Sequence, residues 1–297
     1  MIVLNPKFRI FFSFLKKNFS FVASIVFFFS IPVYAENIFP YIFDTSLKQK
    51  IEFLQIEKKF IDNDILILGE EHDDAIGHAE KLKLIKFLSD KMQFSISFEM
   101  FEKDQQIVLD EFLLGFVKEG NLFHEIRNWN SLKAHYGPII FFAKEKQIPV
   151  IASNVPRRYA NLVSRKGLEE LWKLPKESRK YIPPLNQIQE NITPEYEKKI
   201  LSFLPVHNLK LDKKNFLYAQ ALWDSAMADS IYTECKTRGK KLVHINGRVH
   251  SDNRMGVTYR LQKMGLKVLT VSMFRKKGFQ FSEDNSSIAD IIYLTGE

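Results

Sequence analysis

Apolar and polar positions along this chain alternate between two rhythms. Ile65 to Leu68 is an unbroken apolar run ending on Gly69-Glu70-Glu71-His72, and Leu242-Val243-His244-Ile245 ends on Asn246-Gly247-Arg248-Val249-His250. Runs without alternation suit parallel strands buried on both faces. Each run then delivers a Gly-x-x-His turn to the carboxyl edge of a sheet, where open α/β folds bind their ligands. Between the two runs the period changes. Leu82, Ile85, Leu88 and Met92 recur at helical spacing, whereas Phe94, Ile96 and Phe98 alternate with serines and end on Glu99. Val108, Leu109, Phe112, Leu113 and Phe116 then return to a helical stripe that stops before Gly120. Pro149 to Ser153 predicts a third strand followed by Asn154, and the next helix runs to Arg165 and stops at Gly167.

Further along, Phe216 to Thr237 is the longest helix signal, ended by Arg238-Gly239. A helix from Arg254 to Met264, a strand from Val268 to Met273 and a strand-like stretch from Ile288 to Leu294 follow the second Gly-x-x-His. The alternation predicts an α/β fold, a mainly parallel sheet flanked by helices. Three finer expectations accompany it. Leu47 to Phe60 reads as a helix covering a sheet edge. Gly120 to Gly137 reads as a loop with short helical turns before a short helix, Ile139 to Lys146. The strands ending at Glu70 and Glu99 are expected to be neighbours, as sequential parallel strands often are.

Residues 168–215 break the rhythm, because Pro175, Pro183-Pro184, Pro194 and Pro205 cut the stretch into short helical pieces. It reads as a small helical insertion subdomain, a lid within an α/β domain spanning 36–297. Charge sharpens that picture. Residues 157–214 hold 13 Lys or Arg against 7 Asp or Glu, in a chain with 43 basic and 35 acidic residues overall. A cationic lid would concentrate an anionic small ligand, although a solvated helical surface accounts for so small a surplus equally well. Residues 1–35 read as a signal peptide, with a basic start, the apolar run from Phe19 to Ile31 and Val33-Tyr34-Ala35 as the cleavage site; an uncleaved membrane anchor is the alternative, although the run is short of the usual spanning length. The expected location is therefore exported, periplasmic or outer-membrane associated, with no lipobox cysteine. Cys235 is the single cysteine, so the fold must stand on its core even where disulfides form.

The strand ends collect Glu70, His72, Glu99, Asn154 and His250, with Asp224 and Arg248 as neighbours. Two imidazoles and two carboxylates form a ligand set for a divalent metal, with Glu70, His72, Glu99 and His250 as both catalytic and metal candidates. A metal-free reading uses Glu or His as general base towards water. Arg157 and Arg158, just past a strand end, pair with an anionic ligand or are solvated. Neither a nucleophile elbow, a dinucleotide turn nor a phosphate loop occurs. The weak net charge has no basic stripe, which argues against nucleic acid as a partner.

Leu68-Gly69-Glu70-Glu71-His72-Asp73, Phe98-Glu99-Met100-Phe101, Asp104-Gln105-Gln106, Trp129, Tyr136-Gly137-Pro138, Ala152 to Arg157, Ala219 to Ala228 and Asn246 to His250 together resemble the ChaN-like family of haem-binding and iron-uptake proteins. That family is grouped with the TIKI metalloproteases and the erythromycin esterases. The resemblance implies an exported α/β protein that holds haem through a tyrosine, between two subunits of a homodimer. Candidate tyrosines are Tyr159 and Tyr218, with Tyr181 and Tyr196 also in or beside the cationic insertion. Two functions follow: a haem binder using the insertion, or a metal-dependent peptidase or esterase using the paired Gly-x-x-His site.

Overall fold

The computed structural model describes residues 40–126, 132–204, 212–276, 279 and 285–296. Residues 1–35, expected to be a signal peptide, and Trp129 lie outside them. Eight strands form one sheet: β1 (Tyr41–Asp44), β2 (Gln49–Lys50), β3 (Ile65–Glu70), β4 (Phe94–Glu102), β5 (Val150–Asn154), β6 (Lys241–Gly247), β7 (Val268–Phe274) and β8 (Ile291–Leu294). Their spatial order is β2-β1-β8-β7-β3-β6-β4-β5. The pairings from β8 to β5 are parallel, and only β1 with its two neighbours is antiparallel. The predicted α/β class is borne out. So is the reason for the unbroken run of β3, which is buried at every position; β4 and β7 are buried throughout as well, although β4 alternates with Ser95 and Ser97 and β7 carries Thr270 and Ser272.

Neighbour order is where the expectation fails. β6 lies between β3 and β4, pairing Gly69 with Asn246 and Glu70 with Gly247 on one side and Phe98 with Ile245 on the other. The two Gly-x-x-His turns are thus side by side, and Glu70 and Glu99 flank the second of them. The Leu47 to Phe60 helix is also shortened. Asp44 Oδ1 accepts from Ser46 N, Ser46 Oγ and Leu47 N, which turns the chain into a β1-β2 hairpin. Helix α1 (Phe53–Ile61) starts only where Glu52 and Gln55 form a capping box.

The remaining helices are α2 (Ala75–Ser89), α3 (Gln106–Leu113), α4 (Glu119–Glu125), α5 (Leu132–Glu145), α6 (Arg157–Lys166), α7 (Lys176–Arg179), α8 (Leu185–Glu190), α9 (Pro194–Leu201), α10 (Lys213–Arg238), α11 (Gly256–Lys263) and α12 (Asn285–Ile288). The loop expected up to Gly137 is helical at its end, because burying Leu132, Tyr136, Ile139 and Ile140 on one stripe keeps α5 running through Pro138. Asp212 caps α10 by accepting from Asn215 N, and Gly239 ends it in the left-handed conformation at φ 61°. One face of the sheet packs on α1, α2 and α5 around Phe98, Phe101 and Tyr136. The other packs on α10 and α11 around Met227, Ile231 and Leu261. A separate apolar cluster joins Ile188, Tyr196 and Ile200 to α6 and the first half of α10, and covers the carboxyl edge of β5 and β6.

Candidate functional site

At the carboxyl edge the expected residues converge in two linked clusters. Glu70 ends β3 and is nearly enclosed. Its carboxylate takes the Lys81 ammonium from α2 and the Tyr136 hydroxyl from α5. His72 Nδ1 donates to Glu70 Oε1 at 3.0 Å and lies 3.2 Å from the Tyr136 oxygen. Burial pushes the Lys81 amine well down, and the Tyr136 phenol is pushed up by burial and by Glu99. Two further imidazoles fix the turn from outside. His78 Nε2 and His135 Nδ1 both donate to the His72 carbonyl, at 3.0 and 3.1 Å, while their rings stack at 4.2 Å. Burial holds His78 down at about 4, so it stays neutral at physiological pH.

The second cluster hangs from β4 and β6. Glu99 Oε2 accepts from Gly247 N at 2.6 Å, and Glu99 Oε1 faces His250 Nε2 at 3.4 Å. His250 Nδ1 donates to Asp224 Oδ1 at 2.7 Å, and Asp224 Oδ2 accepts from Tyr196 at 2.5 Å and faces Arg260 Nη1 at 3.8 Å. Burial alone would neutralise His250. Glu99 and Asp224 overcome it and raise the imidazole to about 10, while His250 in turn carries Glu99, which burial would raise, down to about 2. The result is an imidazolium locked between two carboxylates.

The clusters meet across reciprocal glycines. A Cβ on Gly247 would stand 2.7 Å from His72 Nε2, and one on Gly69 would stand 2.6 Å from Ser251 Oγ and 3.3 Å from Arg248 Cα. Each glycine clears space for the other turn, a close approach that only glycine permits.

This arrangement lends no support to a divalent metal at Glu70, His72, Glu99 and His250. His250 is held between Glu99 and Asp224, and the Glu70 and Glu99 carboxylates already have Lys81, Tyr136, His72, His250 and the Gly247 N–H as partners. Among the described residues no group of three or more His, Cys, Asp or Glu side chains could hold a metal ion. The metal-dependent hydrolase reading is not favoured.

Of the other expected residues, Asn154 is spent on the backbone, donating to Glu99 O at 3.0 Å and accepting from Val155 N at 2.9 Å. Arg157 lines a slot of about 70 Å³ with Glu99, Glu102 and Trp223, too small for any planar macrocycle. Arg158 pairs with Asp104 at 2.5 Å and donates to Tyr159 Oη at 3.2 Å. Arg248 binds Asp252 at 2.7 Å and stacks 3.8 Å above Phe274. Tyr196 is sealed under Asp224, its phenol driven far up by burial and by that carboxylate, to which it donates at 2.5 Å. Tyr159 is buried apart from its contact with Arg158, whereas Tyr218 is half-buried, with Gln189 Nε2 at 3.4 Å and Lys214 5.5 Å from its ring.

Lys81, His78, His135 and Arg260 do not figure in the expected site. A signal existed for one pair: His78, Lys81, Ile85 and Leu88 share one stripe of α2, so a histidine and a lysine fall on an apolar face.

The family model described as haem-binding uptake, Tiki superfamily, ChaN matches residues 56–261. The chain belongs to that family. The resemblance drawn from the strand-end motifs is thereby borne out over most of the described domain. ChaN of Campylobacter jejuni, solved with cofacially bound haem, is 17% identical and has a TM-score of 0.64, covering 86% of this chain and 96% of that one. RRSP, a MARTX toxin effector domain of Vibrio vulnificus CMCP6, is 17% identical at a TM-score of 0.42, covering 80% of this chain and 39% of that one. The erythromycin esterase EreC is 12% identical at a TM-score of 0.45, covering 80% and 76%. No curated protein matches the chain. At these identities the likeness of this ChaN-family chain to C. jejuni ChaN is one of fold. Among its described residues no helix is long and apolar enough to cross a membrane.

Proposed function

We propose that this chain is an exported haem binder that serves haem or iron uptake. The observation that carries the reading is the match to the haem-binding ChaN model across 56–261. The helical layer of α6 to α10 supports it chemically. Lys and Arg outnumber acids there, which suits propionates, and Trp172 and Phe203 expose apolar surface at 63% and 56%. A ferric iron takes a tyrosinate whose oxygen it can reach. Tyr218, half-buried, fits better than Tyr159, which is buried and whose phenol oxygen already accepts from Arg158. The buried strand-end clusters then act as the frame that holds the sheet edge to the helical layer. Haem bound cofacially, as in C. jejuni ChaN, brings two rings face to face, and two copies of this chain would supply them.

Titration of the purified protein with hemin tests the reading. A saturable Soret shift with a tyrosinate charge-transfer band is expected, and Tyr218→Phe should abolish that band while Tyr159→Phe largely keeps it. Size-exclusion chromatography should show a monomer becoming a dimer as hemin is added. No Soret shift, or identical spectra in wild type and both variants, overturns the assignment.

A further inference from the structure

The sheet ends at β5, and the outer edge of that strand opens into a groove of about 1080 Å³ between α3 and the second half of α10. Small-ligand cavities span about 300–1,000 Å³. This one lies at their upper limit and follows the length of a strand, a shape suited to a length of chain.

The strand edge itself shows how a chain would dock. Pro149 O accepts from Ile96 N on the β4 side, so the peptide groups of Val150 and Ala152 face the groove. One side chain answers both. Gln106 Nε2 donates to Val150 O at 2.8 Å, and Gln106 Oε1 accepts from Ala152 N at 2.6 Å. Those are the two bonds that a single residue of an added parallel strand makes, donating to residue i and accepting from residue i+2. The Gln106 carboxamide is a surrogate for one residue of a ninth strand.

Charge at the rim narrows the occupant. Four cations face three carboxylates there. Lys103 is paired with Asp229 at 3.0 Å and Arg238 with Glu234 at 2.5 Å, while Asp110 accepts from Gln106 Nε2 at 2.8 Å. Lys144 and Lys180 have no carboxylate partner among the described residues; they rest over Phe112 and Tyr181, at 4.0 and 5.0 Å from the ring centres.

We propose that this groove binds an extended acidic peptide segment of a partner protein, which adds to β5 as a parallel strand and displaces the Gln106 carboxamide. Main-chain bonds to Val150 and Ala152 supply the affinity, and Lys144 and Lys180 select acidic side chains.

The test uses the full chain and a fluorescein-labelled peptide of alternating Val and Glu, seven residues long, read by anisotropy at low salt. Saturable binding is expected. Gln106→Ala should tighten it about tenfold by removing the internal competitor, and Lys180→Glu should weaken it about fivefold. A peptide with proline at alternate positions lacks the needed N–H groups and should not bind. Bound peptide should also slow hydrogen exchange at Ala152 N–H in the Gln106→Ala protein. Absence of binding to both wild type and Gln106→Ala overturns the proposal, as does equal binding of the proline peptide. Should Gln106→Ala not fold, the proline peptide and Lys180→Glu decide it on their own. None of these readouts involves haem, so failure here leaves the haem reading untouched.

Discussion

Replacing Asp224 with Asn removes one charge from the most enclosed part of the site, and the structure fixes how much that should matter. Asp224 is fully buried and accepts from the His250 imidazolium at 2.7 Å and from Tyr196 at 2.5 Å, with Arg260 beyond at 3.8 Å. Taking one partner from a buried ion pair costs about 3–5 kcal/mol, since the remaining charge is stranded. Asn keeps one acceptor, which places the expected loss near the lower bound, about 3 kcal/mol at pH 6.5. The pH dependence follows from His250, whose folded value of about 10 exceeds the ordinary 6.5. A raised value means stability fully present below pH 6.5 and lost as pH climbs towards 10. Asp224→Asn lowers the folded value, so the gap between wild type and variant should be widest at pH 6.5 and shrink steadily up to pH 10. Equilibrium urea unfolding across that range measures it. A loss below about 1 kcal/mol, or a gap that stays constant with pH, would show that His250 is not held as an imidazolium.

Four other outcomes follow from the same geometry. Gly256→Ala should cost more than about 3 kcal/mol or prevent folding, because the residue sits at φ 57° and a Cβ would stand 2.2 Å from the His250 carbonyl oxygen; a thermal melt of soluble protein checks it. Gly247→Ala should be milder, about 1–2 kcal/mol, since the displaced atom is the His72 ring edge; the His72 ring signals in an NMR spectrum should move while those of His250 stay. Glu99, carried down to about 2, contributes stability that is present above pH 4.5 and lost as pH falls through 2, so Glu99→Gln should flatten the acid limb of an unfolding curve. Cys235, whose thiol burial pushes up to about 12, should have roughly one part in ten thousand thiolate at pH 8 and resist iodoacetamide until the protein is unfolded.

The strands β3 and β6 were legible because burial on both faces forces near-unbroken apolar runs, and the paired Gly-x-x-His turns marked where those two strands end. Their lateral order was not legible. Sequential adjacency suggested β3 beside β4, but β6 pairs with both, and nothing local to residues 65–102 encodes a partner so distant in the chain. The site residues His72, Glu99 and His250 were visible as strand-end chemistry. The protonation of Glu99 and His250 was not, because it depends on their burial, on their pairing with each other and on Asp224, which arrives from α10. A set of His and Glu ligands and a set of saturated ion pairs look alike in sequence; only the donors packed around them separate the two.

The interlocked glycines bear on how the molecule comes into being. Gly69 makes room for the turn after β6 and Gly247 for the turn after β3, so neither turn can settle into its final shape until the other has arrived. Most of the domain is synthesised between those two moments, and an early-emerging β3 must wait with an unfilled flank. Non-local pairing of this kind is slow, and it leaves apolar edges open to wrong partners in the interval. The same dependence makes the chain a natural candidate for a split reporter. Two fragments divided after α9 would each hold one glycine and one turn, and would regain native structure only on meeting.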